Sequence, residues 1–348
     1  MRRKVVIGIH GMGNKPPKAV LKQWWLDSLF EGLTENGVPC HAFRFELVYW
    51  AHHLHPVPYD LDSNDKDDPL FLNEPYVPSL GKPAPQPSRL RRKTLGFVEK
   101  ILDKLLLKDD LTVNYKSITD SIIRNYFKDL ETYYSSDCVG GEHKDCPVRK
   151  VIRKDLLELL HKFRRYDIML ISHSMGTIIS YDVLSEDSRD VNVHTLVTMG
   201  SPLGLPVIIS RYVQERRVAD PDFKAVTTPP SVARRWYNLS DLEDRVAFNY
   251  DLGDDYGPNA RGISADDKIV YNDYEVDGVP NHHKVYGYLR TKEMAEILCD
   301  FLTENRNPRW LWGNDQLQRL WGMLKRRIRV STKASHGVFG GERKREQR

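Results

Sequence analysis

The stretch from Tyr166 to Ser180, YDIMLISHSMGTIIS, constrains this chain more than any other. Ile168, Met169, Leu170 and Ile171 form a continuous apolar run, the pattern of a strand buried on both faces of a parallel sheet. Thr177, Ile178, Ile179 and Tyr181 continue as the first turns of a helix. Between them lies Ser172-His173-Ser174-Met175-Gly176, a G-x-S-x-G pattern whose first glycine is serine. A serine at such a strand-to-helix corner is held in a strained backbone conformation that lifts its hydroxyl off the sheet. The chain passes close to itself there, so the residues two before and two after must be small, as Ser172 and Gly176 are. Ser174 is the candidate nucleophile. An ordinary strand-to-helix turn is the alternative reading, and the neighbouring segments decide between them.

Lys4 to Ile9 reads as a first buried strand, ending in His10-Gly11-Met12-Gly13-Asn14, and Ala19 to Leu33 follows as a helix with Trp24, Trp25 and Leu29 on its core face. Glycines let this loop approach a ligand closely. The backbone N–H groups of Met12 and Met175 are the candidate oxyanion donors, with His10 and Gly11 shaping the loop. The loop has neither G-x-x-x-x-G-K-[ST] nor G-x-G-x-x-G spacing, which argues against nucleotide binding.

Further strands are predicted over His41–Trp50, Thr195–Met199, Arg234–Leu239 and Lys268–Val276, with helices over Val148–Phe163, Leu205–Val213 and Thr291–Leu302. Acidic residues cluster after the strand Arg234–Leu239 (Asp241, Glu243, Asp244), and adjacent histidines, His282 and His283, follow the last. Ser, Asp and His thus come in the chain order that the α/β-hydrolase fold uses for its triad.

On these residues the chain resembles the α/β-hydrolase superfamily, in its serine esterase/lipase-like branch. The resemblance rests on His10-Gly11, the Ser172–Gly176 corner, the Gly200-Ser201-Pro202-Leu203-Gly204 loop, the Trp236-Tyr237-Asn238 strand with its acidic turn, and His283 with Tyr286. It covers residues 1–50 and 147–304. It implies a mostly parallel central sheet with helices on both faces. It further implies a Ser174–His283–Asp244 triad, because Asp244 precedes Arg-Val as in the family's Asp-x-Val turn and His283 precedes an aromatic by three. Asp241 and His282 are the second choices. The implied activity is hydrolysis of a carboxylic ester of a small molecule or lipid through an acyl-enzyme, without a cofactor. Thioester, amide or acyl-transfer chemistry would use the same groups. A catalytically silent fold serving as a docking module is the reading from another class.

Residues 51–146 read as an insertion and a candidate cap. A Pro- and Asp-rich loop comes first, then amphipathic helices over Arg89–Lys108 and Val113–Tyr134. Asp60, Asp62 and Asn64 begin like a calcium loop, but Asp65 stands where glycine is needed and Phe71 where glutamate is. Cys138, His143 and Cys146 lack a fourth ligand at zinc spacing, so no metal is expected. Cys40 and Cys299 read as small buried hydrophobes.

Charge is distributed unevenly along the 348 residues. Residues 305–348 carry 12 Lys/Arg against 3 Asp/Glu, leaving 40 against 45 on the rest. The acidic body argues against a nucleic-acid partner. Within the basic segment, Asn314–Val330 sets Leu317, Leu320, Trp321, Leu324 and Ile328 on one helical face among arginines, with Trp310 and Trp312 before it. This pattern predicts peripheral contact with an anionic membrane, residues 331–348 being disordered, or else a helix docked on the body. The start, MRRKVVIGIHG, has too short an apolar run for a signal-peptide core, so a cytoplasmic protein is expected.

Overall fold

The aliphatic runs of the sequence become the centre of one six-stranded sheet. The computed structural model describes residues 2–38, 42–79, 81, 133–134, 148–188, 190–223, 225–247 and 249–304. Its strands are β1 (Lys4–Ile9), β2 (Arg44–Val48), β3 (Asp167–His173), β4 (Val193–Met199), β5 (Val232–Asp241) and β6 (Ala265–Val270). They lie in the order β2-β1-β3-β4-β5-β6, and every pairing is parallel. Helices α1 (Lys18–Glu35), α2 (Val148–Lys162), α3 (Met175–Asp182), α4 (Pro206–Ala219), α5 (Val285–Leu289) and α6 (Lys292–Thr303) surround it. This is an α/β fold with helices on both faces.

Alternation along each central strand explains why the runs are apolar throughout. Val5, Ile7 and Ile9 of β1, with Ile168 and Leu170 of β3, pack into the core beneath α2, α3 and α4. Val6, Met169 and Ile171 point the other way, into the core beneath α1, α5 and α6. Each such fully buried aliphatic side chain contributes roughly 1.5–3 kcal/mol. From β1 the chain moves outward to β2 and then back to β3 on the other side. The carboxyl ends of β1 and β3 are therefore the topological switch point, where open α/β sheets form their ligand crevice.

Several expected elements have different bounds. The second strand is shorter, Arg44–Val48, and the strand expected over Arg234–Leu239 is longer, Val232–Asp241 (β5). The helix expected over Leu205–Val213 runs on to Ala219, started by Pro206 in its first turn. The strand expected over Lys268–Val276 ends at Val270, and Glu275–Val276 pairs instead with Val279–Pro280 in a small hairpin (β7, β8). Buried Asn272 accounts for the break. Its backbone N–H turns to Asp241 Oδ2 at 2.6 Å, and its side-chain amide donates to the carbonyls of His282 and Lys284, both at 2.8 Å. Cys299 is half-buried, not buried as expected.

Within the expected insertion, residues 51–79 cross the carboxyl end of the sheet. Asn14 Nδ2 donates to the Val57 carbonyl at 2.9 Å and the Tyr59 amide to the Lys15 carbonyl at 3.0 Å, tying this segment to the loop after β1. Tyr133 is fully buried and donates to Asp182 Oδ2 at 2.9 Å. The helix expected over Arg89–Lys108, nearly all of that over Val113–Tyr134, Cys40, the Cys138–Cys146 group and the basic segment 305–348 lie outside the described residues. No described helix is long and apolar enough to cross a membrane.

Candidate active site

Ser174 stands between the last residue of β3 and the first of α3, with φ 54° and ψ −129°. A non-glycine residue with positive φ is strained, and the surrounding packing holds it there. Gly176 is what permits the corner. A Cβ on it would lie 2.7 Å from the His10 carbonyl oxygen and 2.8 Å from that of Ile9, so the helix start presses directly on the end of β1. Ser172, where the pattern has glycine, is buried and shares a 2.8 Å hydrogen bond with Ser180 Oγ on α3. Its hydroxyl is satisfied inside the corner, so the extra atoms are accommodated.

Three loop ends deliver the remaining groups. His283 Nε2 lies 2.9 Å from Ser174 Oγ. On the other edge of the ring, His283 Nδ1 lies 2.9 Å from Asp244 Oδ2 and 3.0 Å from Oδ1. Asp244 is almost wholly buried and accepts further hydrogen bonds from Tyr288 Oη at 2.7 Å and the Val246 amide at 2.8 Å. Burial alone would push its carboxyl up. The charge of the His283 partner, with the hydrogen bonds from His283, Tyr288 and the Val246 amide, outweighs that and holds it below the ordinary value. Asp244 is thus a carboxylate at neutral pH, and it fixes the tautomer in which His283 Nδ1 carries a proton and Nε2 accepts from Ser174.

The second-choice residues go elsewhere. Asp241 accepts from the amides of Glu243 at 2.7 Å and Asn272 at 2.6 Å, and its nearest histidine is His282 at 3.5 Å. His282 Nδ1 faces the Asn272 carbonyl at 3.1 Å. This pair shapes the two loops and does not reach Ser174. Burial raises the Asp241 carboxyl, against the pull of the two amides.

The loop after β1 closes over the serine. A Cβ on Gly11 would sit 2.7 Å from Ser174 Cβ and 3.1 Å from its Oγ, a space only glycine leaves. The N–H of Met175 is in the first turn of α3, and Met12 lines the cavity beside Ser174. His10 is buried. The amides of Trp50 and Ala51 donate to its Nε2 at 3.1 and 3.4 Å, so Nδ1 carries the proton and donates to the Gly11 carbonyl at 2.7 Å. Burial, with a smaller contribution from Lys15, keeps this imidazole well below its ordinary pKa and therefore neutral. Lys15 curls back so that its ammonium donates to the carbonyls of Met12, Gly13 and Asn14, bracing the loop from inside.

A cavity of about 500 Å³ opens at Ser174. Leu21 and Trp25 of α1, Val285 and Tyr286 of α5, and Leu72 from the crossing segment give it apolar walls. It is in the size range of small-molecule sites, ~300–1,000 Å³.

Three supports were not read from the sequence. His173 is buried, and its Nε2 donates to the His283 carbonyl at 2.8 Å, tying the residue before the serine to the histidine loop. Burial and the nearby His283 keep it neutral. Tyr288, which the sequence reading did not single out, donates to Asp244, while Tyr286 lines the cavity. Glu74 holds both sides of the histidine loop, at 2.6 Å from Asn281 Nδ2 and 2.9 Å from Lys284 Nζ. Only the His-Ser adjacency of residues 173 and 174 was a visible signal; the other contacts span too much chain.

No protein-family model matches the chain, and no curated protein is detectably similar to it in sequence.

Proposed function

We propose that this chain is a serine hydrolase of the α/β-hydrolase fold that cleaves carboxylic esters through an acyl-enzyme. The observation that carries the reading is the continuous chain of hydrogen bonds from strained Ser174 Oγ through both nitrogens of His283 to buried Asp244. A merely structural serine has no need of a base on one side and a carboxylate behind it.

In this reading His283 Nε2 takes the Ser174 proton as Oγ attacks the acyl carbon. The carbonyl π pair moves onto oxygen, and the N–H groups of Met12 and Met175 receive the oxyanion. The C–O bond to the alcohol then breaks, and His283 returns its proton to the departing oxygen. Water, deprotonated by the same nitrogen, attacks the acyl-enzyme, and Ser174 leaves with its proton restored. Asp244 stabilises the imidazolium formed in each half-reaction without accepting its proton. The apolar cavity takes the acyl or alcohol group.

Purified protein incubated with a fluorophosphonate and with p-nitrophenyl esters of increasing chain length tests this directly. A covalent adduct on Ser174 and ester turnover, both lost in Ser174→Ala, are the expected results. No adduct on the native protein, or labelling that survives Ser174→Ala, would overturn it.

A further inference from the structure

A second group of reactive side chains lies apart from the Ser174 cavity. Trp50 is followed by a single 3-10 turn, Ala51–His53, which projects His52 and His53 toward α2. There His53 Nε2 meets Asp155 Oδ2 at 2.8 Å. The two imidazole rings are 3.9 Å apart between centroids and tilted by 40°. One ligand atom from each of His52, His53 and Asp155 lies within 4.8 Å of the other two. His52 is exposed and the other two are half-buried, so an ion can enter from solvent. Among the described residues this is the one group of three His, Cys, Asp or Glu side chains so arranged.

We infer that His52, His53 and Asp155 form a binding site for a divalent transition-metal ion of the zinc type. The donor set selects the ion. Two imidazoles and one carboxylate suit Zn²⁺, whereas Ca²⁺ and Mg²⁺ require oxygen ligands in greater number. Tetrahedral zinc, with bonds of about 2.0–2.2 Å, brings neighbouring donor atoms to roughly 3.4 Å from one another. The observed spread reaches that by small side-chain rotations, and three protein ligands leave the fourth position to water. The site joins residues 102 apart in sequence, so an ion there closes a long loop between the turn after β2 and α2. It also braces the turn whose Trp50 and Ala51 amides hold His10. The plainer reading is a His53–Asp155 hydrogen bond with His52 stacked on Tyr49, whose rings are 5.9 Å apart and 4° from parallel. The inference does not depend on the hydrolase reading.

The test uses the full chain stripped with a chelator and titrated with Zn²⁺ alone by calorimetry. One site is expected, with a rise in Tm on loading. His52→Ala, His53→Ala and Asp155→Asn should each weaken it by at least about tenfold, since even outer partners of metal ligands are worth that much. His161→Ala, which removes a surface histidine facing Asp190 at 3.2 Å, should leave it unchanged. Because His52 is exposed, its truncation leaves the fold intact even if the other variants fail to fold. Absence of Zn²⁺ binding to the native chain overturns the inference. So does binding that His52→Ala leaves unaltered, which would put the metal elsewhere.

Discussion

Tyr288 donates its phenol proton to Asp244 Oδ2 at 2.7 Å from a fully buried position on α5. The phenol oxygen of Tyr288 also accepts from the Asp241 amide at 3.0 Å, so one hydroxyl joins the acidic turn to the helix that follows His283. Burial and the Asp244 charge push this phenol far above its ordinary pKa, and it stays a donor at every working pH. Tyr288→Phe removes a hydrogen bond to a charged group, worth about 1.5–3 kcal/mol. The expected outcome is a lower Tm and an ester-hydrolysis rate reduced about ten- to a hundredfold, with KM little changed. A variant as active as the native protein would show that the Val246 amide and His283 suffice to hold the acid.

Exchanging the two acid–histidine pairs separates them. Asp244→Asn should lower kcat by roughly 10⁴-fold and His283→Ala by about 10⁶-fold. Asp241→Asn and His282→Ala leave the serine relay untouched, so they should change stability more than kcat. Steady-state kinetics on a short p-nitrophenyl ester, with thermal melts in parallel, distinguish the two patterns. The reverse order would assign the triad to the other pair.

Gly11→Ala probes the close approach of the loop over Ser174. The added methyl meets Ser174 Cβ at 2.7 Å, so the loop or the serine must shift. Displacements of about 1 Å at a reacting centre lower rates on the order of 10²-fold. Ester turnover should fall by that much while the far-ultraviolet circular dichroism is unchanged. Retention of full activity would mean that the loop yields freely and does not define the oxyanion position.

The corner serine gives the opposite expectation. Ser172→Gly restores the common pattern and removes only the bond to Ser180, worth about 0.5–1.5 kcal/mol. Activity should stay within a few-fold and Tm fall by a few degrees. Ser172→Leu, too large for a fully buried site between β3 and α3, should not yield folded protein.

Stability should fall on mild acidification. His10 and His173 are buried and neutral, with folded pKa values below the unfolded one. A histidine depressed in this way contributes stability that is complete above its unfolded pKa, near ~6.5, and is lost as pH falls toward the folded value. Each should withdraw roughly 1.4 kcal/mol per pH unit below that point. Chemical denaturation between pH 7.5 and 5 measures the slope. His173→Asn should reduce it, and an unchanged slope would show that other groups carry the acid sensitivity.

The central strands of the sheet were legible because their signals are local. Ile168–Ile171 is apolar at every position and Val5–Ile9 is aliphatic or glycine throughout, the pattern of a strand covered on both faces, and Val6 and Met169 do pack opposite Val5 and Ile168. The small residues at 172 and 176 announced the corner, since steric need at a tight turn is written in the residues of the turn itself. Asp244 and His283 were separated from Asp241 and His282 only by resemblance. Four residues in two short clusters are chemically alike, and choosing among them takes the placement of Asn272, which draws Asp241 and the His282 carbonyl into loop bonding. The same holds for Tyr288 against Asp244, for Glu74 against the histidine loop and for His53 against Asp155. Those contacts join residues tens to hundreds of positions apart. Local pattern sets which faces of a strand or helix are buried; which distant polar groups meet is decided only when the sheet order brings the loop ends together.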